Sequence, residues 1–552
     1  METRISFQRI QNSNLATLGI KAPFTIPSGI VTTLPSVIAR IARDVPQIGF
    51  LTTKTLSVAP RAGYREPVIH EYYPGCFVNA VGLANPGAES FLEAMKPLLP
   101  LHDRKPLFVS IMGVNVEEFL DCARILEPIA DAFELNLSCP HVKGAGQTIG
   151  SDPDSVNSII KLLKKRFDKP IIPKLSPNLG NIAGMARMCE AAGADALSLI
   201  NTVGPGIALD AQGQPVLSNV MGGLSGAGIL PVGLKAVKEA ASVVNIPIIA
   251  SGGIDSAQDV RAYQSVGADL FAVGSALAGM TTPRIVDFFR AIADELKHGQ
   301  GNESERGPIA KPRTDYFRTI VVENGPVGVG MFMLKLKDST ACRPGGFFFL
   351  RLPDVGEKPF SPMNDSEPTY LVRNVGPFTA ALESLKPGDS IDMRGPYGQG
   401  FPDPEQGRPL VLVGGGTGAA PIILAGAYFR QSVSKAFFGF AGEPAKTLRD
   451  EILTRVPDSR IVIDPPGTIG EVVRVLQADM ETDPELYQEC AAFVCGPRPM
   501  MDAVADALKR YSPKGGIHLA REDVMRCGIG VCGSCGTETG LRSCVDGPVM
   551  RK

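Results

Sequence analysis

Between residues 20 and 280 the chain repeats one theme: a short apolar strand that ends in small or polar residues, then a helical stretch. Eight strand candidates follow one another: FTIPSG (24–29), GFLTTKT (49–55), LFVSIMG (107–113), AFELNLS (132–138), IIPKLSP (171–177), ALSLINT (196–202), IPIIASG (246–252) and LFAVGSA (270–276). Continuous apolar runs suit strands covered on both faces, and eight alternations with helices suit a (β/α)8 barrel better than an open sheet. In such a barrel function gathers at the carboxyl ends of the strands. The residues there are Ser28, Lys54, Ser110, Asn136 with Cys139, Lys174, Asn201 with Thr202, Ser251 with Gly252 and Gly253, and Gly274 with Ser275. Strand-to-loop punctuation accounts for the Gly and Ser, but poorly for two strand-borne Lys and a Cys.

The barrel occupies only residues 1–300 of 552, and roughly 150 residues per domain leaves room for further units. HGQGNESERGPIAKPR (298–313) is polar, bears Gly and Pro, and has no apolar period, so 301–313 reads as a linker. Short turn-rich β-runs such as GGFFFLRL and DSIDMRG predict a small β-barrel over 314–405. PLVLVGGGTGAAPIILAGAYFR then switches to strand, loop and helix, opening an α/β unit over 406–515. The uncharged run from Leu410 to Phe429 is no membrane span, because Gly414, Gly415, Gly416 and Pro421 interrupt it. Lys plus Arg (55) nearly balance Asp plus Glu (57), which leaves no basic field for nucleic acid or an anionic membrane. The first residues, METRISFQRIQNSN, carry no basic region followed by an apolar run, so a cytoplasmic location is expected.

Four of the 11 Cys crowd into the tail, 516–552: Cys527, Cys532, Cys535 and Cys544, with Gly528, Gly530, Gly533 and Gly536 among them. The glycines allow a tight loop whose N–H groups point at sulfur, and the spacing favours a [2Fe-2S] cluster over zinc, for which only Cys532 and Cys535 make the usual pair. Gly414, Gly415, Gly416, Thr417 and Gly418 lie between an apolar strand and a helix, where N–H groups can receive a pyrophosphate. Upstream stand Lys358, Pro359, Phe360 and Ser361, then Gly376 with Thr379; downstream stand Cys495, Gly496 and Pro497.

In that order these pieces resemble the ferredoxin-reductase family. With the terminal cysteines, residues 314–552 resemble the electron-transfer subunit of class 1B dihydroorotate dehydrogenases. The barrel half resembles the catalytic subunit of the same family, through TKT (53–55), NAVGLANPG (79–87), ELNLSCPH (134–141), KLSPN (174–178), INT (200–202), GGLSG (222–226), SGGI (251–254) and GSA (274–276). The resemblance implies an α/β architecture: a TIM barrel, an FAD-binding β-barrel, an NAD-binding α/β domain and a C-terminal [2Fe-2S] domain. It implies that Cys139 is the general base and that Lys54, Asn79, Asn136, His141, Asn201 and Thr202 surround the substrate. FMN would meet Ser28, Gly29, Lys54, Thr55, Asn136, Lys174 and Gly226, with Gly252, Gly253, Gly274 and Ser275 at its phosphate. FAD would meet Lys358, Pro359, Phe360, Ser361, Gly376 and Thr379. NAD would meet Gly414 to Gly418 and Cys495 to Pro497, and the four tail cysteines would hold the cluster.

The chemistry matches those residue types. Oxidising a saturated C–C bond beside a carbonyl needs a base for the acidic α-proton and an acceptor for the β-hydride. The implied activity is oxidation of dihydroorotate to orotate in pyrimidine biosynthesis, electrons passing from FMN to [2Fe-2S] to FAD to NAD. The family's catalytic and electron-transfer parts are normally separate chains, whereas here they are fused, and a homodimer through the barrel is implied. Three positions depart from the family: Lys358 stands for an Arg, Ser110 for a flavin-contacting Asn, and His141 for an Asn. His141 matches dihydropyrimidine dehydrogenases, so an NADH-dependent pyrimidine reductase is one alternative, and a redox partner module without catalysis is another. Glu443 after the strand ending FFGF, with no Arg in AGEPAK, leans toward NAD over NADP.

Overall fold

The computed structural model describes residues 8–137, 150–298, 314–338, 341–465 and 470–552. Cys139, His141 and the linker at 301–313 therefore lie outside the described residues. Contacts divide the chain into two units, residues 1–312 with 529–542, and residues 313–528 with 543–552.

In the first unit all eight apolar runs become parallel strands: β1 (Phe24–Thr25), β2 (Leu51–Thr52), β3 (Leu107–Ile111), β4 (Ala132–Asn136), β5 (Ile171–Leu175), β6 (Leu197–Leu199), β7 (Ile248–Ser251) and β8 (Leu270–Ala272). Their order is β1-β8-β7-β6-β5-β4-β3-β2, and a parallel bridge from Phe24 to Ile48, just before β2, nearly closes the ring. A helix follows every strand, from Pro35–Asp44 after β1 to Thr282–His298 after β8. Side chains alternate across each strand. Phe108, Ile172 and Ile249 therefore share an apolar cluster with Leu15 and Phe50, while Ser110 and Lys174, two positions further along their strands, bring polar groups toward the carboxyl end.

The sequence reading did not foresee a second, antiparallel sheet in this unit, ordered Ile69–Tyr73, Cys76–Asn79, Met221–Gly226, Val203–Ile207. The cysteine-loop segment 529–542 also belongs to this unit. It is held on the loops after β1 and β8: Val31 N donates to Val531 O at 2.7 Å, Thr33 Oγ1 to Cys532 O at 2.6 Å, and Gly279 N to Ile529 O at 2.8 Å. Arg542, buried, donates to Met280 O at 2.7 Å.

The second unit contains a seven-stranded antiparallel sheet, Phe317–Gly328 to Ser390–Tyr397, and a six-stranded sheet built around Leu410–Gly415. The latter is parallel except at its edge strand Val549–Arg551. The helix Ala419–Tyr428 follows the glycine turn and is buried nearly all round, as its apolar sequence requires.

Candidate active site

A cavity of about 170 Å³ opens at the carboxyl ends of the barrel strands. Every described barrel residue expected at substrate or FMN lines it: Ser28, Gly29, Lys54, Thr55, Asn79, Asn136, Lys174, Asn201, Thr202, Gly226, Gly252, Gly253, Gly274 and Ser275. Asn79 and Gly226 arrive on the unforeseen antiparallel sheet, where Gly223 pairs with Asn79 and Asn79 Nδ2 donates to Gly223 O at 3.2 Å. Val81, Leu83 and Ile229 add apolar walls that sequence reasoning missed.

Lys54 and Lys174 are only 7% and 5% exposed. A hydrogen-bonded set lies beside them. Asn136 Nδ2 donates to Thr55 Oγ1 at 3.0 Å, and the Thr55 hydroxyl lies 2.9 Å from that of Ser28 and 3.0 Å from that of Ser110. Ser110 Oγ donates to Glu134 Oε1 at 3.0 Å, and Lys174 Nζ is 3.9 Å from the same oxygen. Ser110, which stands where the resemblance places a flavin-contacting Asn, is fully buried and absent from the cavity lining.

Gly253 shows why the far wall needs glycine. Its φ is +78°, and a Cβ there would sit 2.9 Å from Leu230 N, at the start of the helix Leu230–Ala241. Backbone can thus approach an anion beside a helix amino end. Two buried ammonium groups, an amide-lined mouth and this cradle fit a flavin mononucleotide.

In the second unit a cavity of about 560 Å³ is lined by Lys358, Pro359, Phe360, Ser361, Thr379, Gly415, Gly416, Thr417, Gly418, Cys495 and Pro497. Gly376, Gly414 and Gly496 are not on its wall. A Cβ on Gly414 would come 2.9 Å from Phe438 Cδ1, and one on Gly496 would come 2.6 Å from Met500 Cε, so these two serve close packing. Thr379 Oγ1 accepts from Val375 N at 2.9 Å and Gly376 N at 3.1 Å, shaping the turn. Two wall residues were not foreseen. Arg373, whose Nη2 lies 3.5 Å from where a Gly416 Cβ would stand, brings the planar guanidinium that Lys358 lacks. Burial raises the Glu522 carboxyl above its ordinary range, with Arg373 opposing, and burial likewise pushes the Cys495 thiol up. A glycine turn before a buried helix, with Lys358 and Arg373 across from it, fits a dinucleotide pyrophosphate.

All four tail cysteines are buried, Cys532 the least at 6% exposed. Cys532 and Cys535 belong to the first unit's segment, and Cys527 and Cys544 to the second's. Among the described residues no three or more His, Cys, Asp or Glu side chains gather as a metal site. The donors themselves fit iron and sulfur: soft thiols in a chain turned by positive φ at Gly528, Gly530 and Gly533. Among the described residues no helix is long and apolar enough to cross a membrane.

Known proteins resemble the chain over both its first and its last part. The family model described as dihydroorotate dehydrogenase matches residues 11–298, and that described as the iron-sulfur cluster binding domain of dihydroorotate dehydrogenase B matches 522–552. The catalytic subunit of dihydroorotate dehydrogenase B (NAD(+)) from Pyrococcus abyssi is 43% identical over 286 residues, 51% of this chain and 91% of that protein. Its Pyrococcus horikoshii counterpart is 41% identical over 273 residues, 49% of this chain and 87% of that protein. A crystal structure of DHODH with ferulenol from Eimeria tenella shares 21% identity at a TM-score of 0.44, covering 53% of this chain and 85% of that one. Since the first family match alone takes in more than half of the residues, among them all those that line the barrel cavity, this chain belongs to the dihydroorotate dehydrogenase family.

Proposed function

We propose that the chain oxidises dihydroorotate to orotate in pyrimidine biosynthesis, with FMN in the barrel and electrons passing through a [2Fe-2S] cluster and FAD to NAD. One observation carries the reading: a single cavity gathers Lys54, Asn79, Asn136, Lys174, Asn201 and Thr202 above the Gly252–Gly253 cradle. Amide, hydroxyl and ammonium donors of that kind hold a planar, anionic pyrimidine by its carbonyls and carboxylate. Cys139 takes the proton from the carbon beside the carbonyl, its thiolate becoming the thiol. The bound flavin supplies the acceptor for the hydride from the neighbouring carbon. Lys174 lines the cavity, where its charge would offset negative charge on a reduced flavin.

One chain then carries both the catalytic and the electron-transfer parts, with FAD in 314–405, NAD in 406–515 and the cluster in 516–552. The seating of residues 529–542 on the loops after β1 and β8, the two strands whose ends carry Ser28, Gly274 and Ser275, supports electron exit toward the cluster. Fusion fixes stoichiometry and raises effective concentration. A homodimer through the barrel completes the proposal, and mass photometry checks it.

The test is anaerobic mixing of the cluster-loaded protein with dihydroorotate and, separately, with dihydrouracil, following flavin bleaching and NADH formation. Bleaching by dihydroorotate with NADH following supports the proposal. A response to dihydrouracil alone replaces it with pyrimidine reduction and makes His141 the residue to mutate. Failure of both to bleach the flavin points to a redox partner without catalysis. FAD reduction as fast in Cys532→Ser, without its cluster, as in the wild type would refute the electron route.

A further inference from the structure

We propose that Glu134 is a positioning residue for Lys174 and, through it, sets the charge that the barrel presents to its flavin. The proposal deepens the flavin reading above and rests on it. β4 alternates across the barrel wall, so Glu134 shares the inward face with Ala132 and with Asn136, which lines the cavity. An acidic side chain only 5% exposed inside a barrel is costly unless its charge and oxygens are met. Lys174 meets the charge at 3.9 Å, and Ser110 meets the same oxygen at 3.0 Å. The longer separation exceeds a hydrogen bond, so Glu134 steers the ammonium without consuming its donors.

The hydroxyls fix a direction. Because Ser110 donates to Glu134, it accepts from Thr55; because Thr55 donates to Ser110, it accepts from Ser28, 2.9 Å away, and from Asn136. Every proton in the row points at Glu134, and Ser28 at its head lines the cavity. The Asn-to-Ser departure at position 110 thus supplies the hydroxyl that ties the carboxylate to the flavin wall. A Gln at 134 keeps the shape and removes the charge, leaving Lys174 unbalanced beside the flavin.

The test is a reductive titration of the holoprotein against a reference dye, with FMN content measured alongside. Glu134 lies in the first unit, so the difference between wild-type and variant titrations reads the flavin held there. Glu134→Gln is expected to favour the reduced flavin about tenfold, or about 30 mV upward for a two-electron couple. Glu134→Asp should return part of the shift, Ser110→Ala should shift it less and in the same direction, and Lys174→Met added to Glu134→Gln should abolish it. An unchanged titration in Glu134→Gln with FMN bound overturns the proposal, and so does an equal shift with Lys174 removed. If Glu134→Gln loses FMN, Ser110→Ala decides by the same sign. A wild-type chain that binds no flavin sinks the functional reading itself, whereas a flavin-loaded wild type with unmoved variants sinks this proposal alone.

Discussion

Arg394 is a buried, many-partnered charge in the second unit, and its removal has a calculable consequence. Its guanidinium is 1% exposed and faces Glu357, 0% exposed, through a fork: Nε to Oε2 at 2.9 Å and Nη2 to Oε1 at 2.7 Å. Nη1 donates to Tyr397 Oη at 2.9 Å and Cys527 O at 3.1 Å, and the group lies 4.0 Å over the Phe349 ring. Arg394→Leu deletes four hydrogen bonds and leaves the Glu357 carboxylate buried with the Tyr316 hydroxyl, at 2.6 Å, still donating to it. Breaking a buried pair from one side costs about 3–5 kcal/mol, chiefly through the stranded charge. At roughly 2–4 °C per kcal/mol for a unit of this size, its unfolding midpoint should fall by about 6–20 °C in calorimetry. Arg394→Leu combined with Glu357→Leu removes the stranded charge and should cost less than the sum of its singles, since only the neutral Tyr316 and Tyr397 hydroxyls and Cys527 O then lose a partner. A single variant within about 1 kcal/mol of wild type, or a double variant costing the sum of its singles, would refute the argument.

Cys139→Ser should leave FMN bound but slow anaerobic flavin reduction by dihydroorotate at neutral pH by about 10²-fold or more, because a hydroxyl is a far weaker base; unchanged stopped-flow reduction would remove Cys139 from the role. Gly253→Ala drives a Cβ to 2.9 Å from Leu230 N at a φ of +78°, so FMN content after purification should drop well below that of wild type, and full loading would argue against the cradle. His518, half-buried 5.5 Å from the Phe493 ring with Nε2 3.1 Å from Gly515 O, has its pKa lowered first of all by burial. The folded state then binds fewer protons than the unfolded one, so its stabilising share is present above about pH 6.5 and is lost as pH falls through the lowered folded value. Urea unfolding of His518→Gln should show a flatter stability profile below pH 6.5 than wild type, and an identical slope would contradict the linkage.

The barrel was legible because its strands are covered on both faces, and a run such as IIPKL keeps an apolar signature whatever follows it. That same background made Lys54 and Lys174 conspicuous, and both line the cavity. Glu134 stands in the equally apolar AFELN, but its meaning depends on Ser110 and Lys174 in neighbouring strands and has no local signature. The antiparallel sheet was illegible for a related reason: VGPGI and MGGLSG are half or more Gly, Pro and Ser, which are poor strand formers, and pairing alone makes them strands. Asn79 was therefore read from likeness to the family, not from its place in a strand.

In glycines a turn and a packing contact leave the same trace. Gly416 faces the second cavity, whereas Gly414, two residues earlier, has a ring from the next strand where its side chain would be. The cysteine loop carries this furthest. Its spacing is a local property and reads directly as thiolate chemistry, but Thr33 reaching Cys532 O spans 499 positions and has no local signature at all. Gly533 joins the two levels: a Cβ there would lie 2.3 Å from Val31 O, so the residue that frees the loop to turn also allows it to seat beside the barrel mouth. What looks in sequence like a self-contained cluster motif is thus also a docking element. Gly533 and Gly536, where a Cβ would meet Val31 O at 2.3 Å and Val37 Cγ2 at 2.6 Å, are constrained from the barrel side as firmly as the cysteines are constrained by the metal chemistry proposed for them.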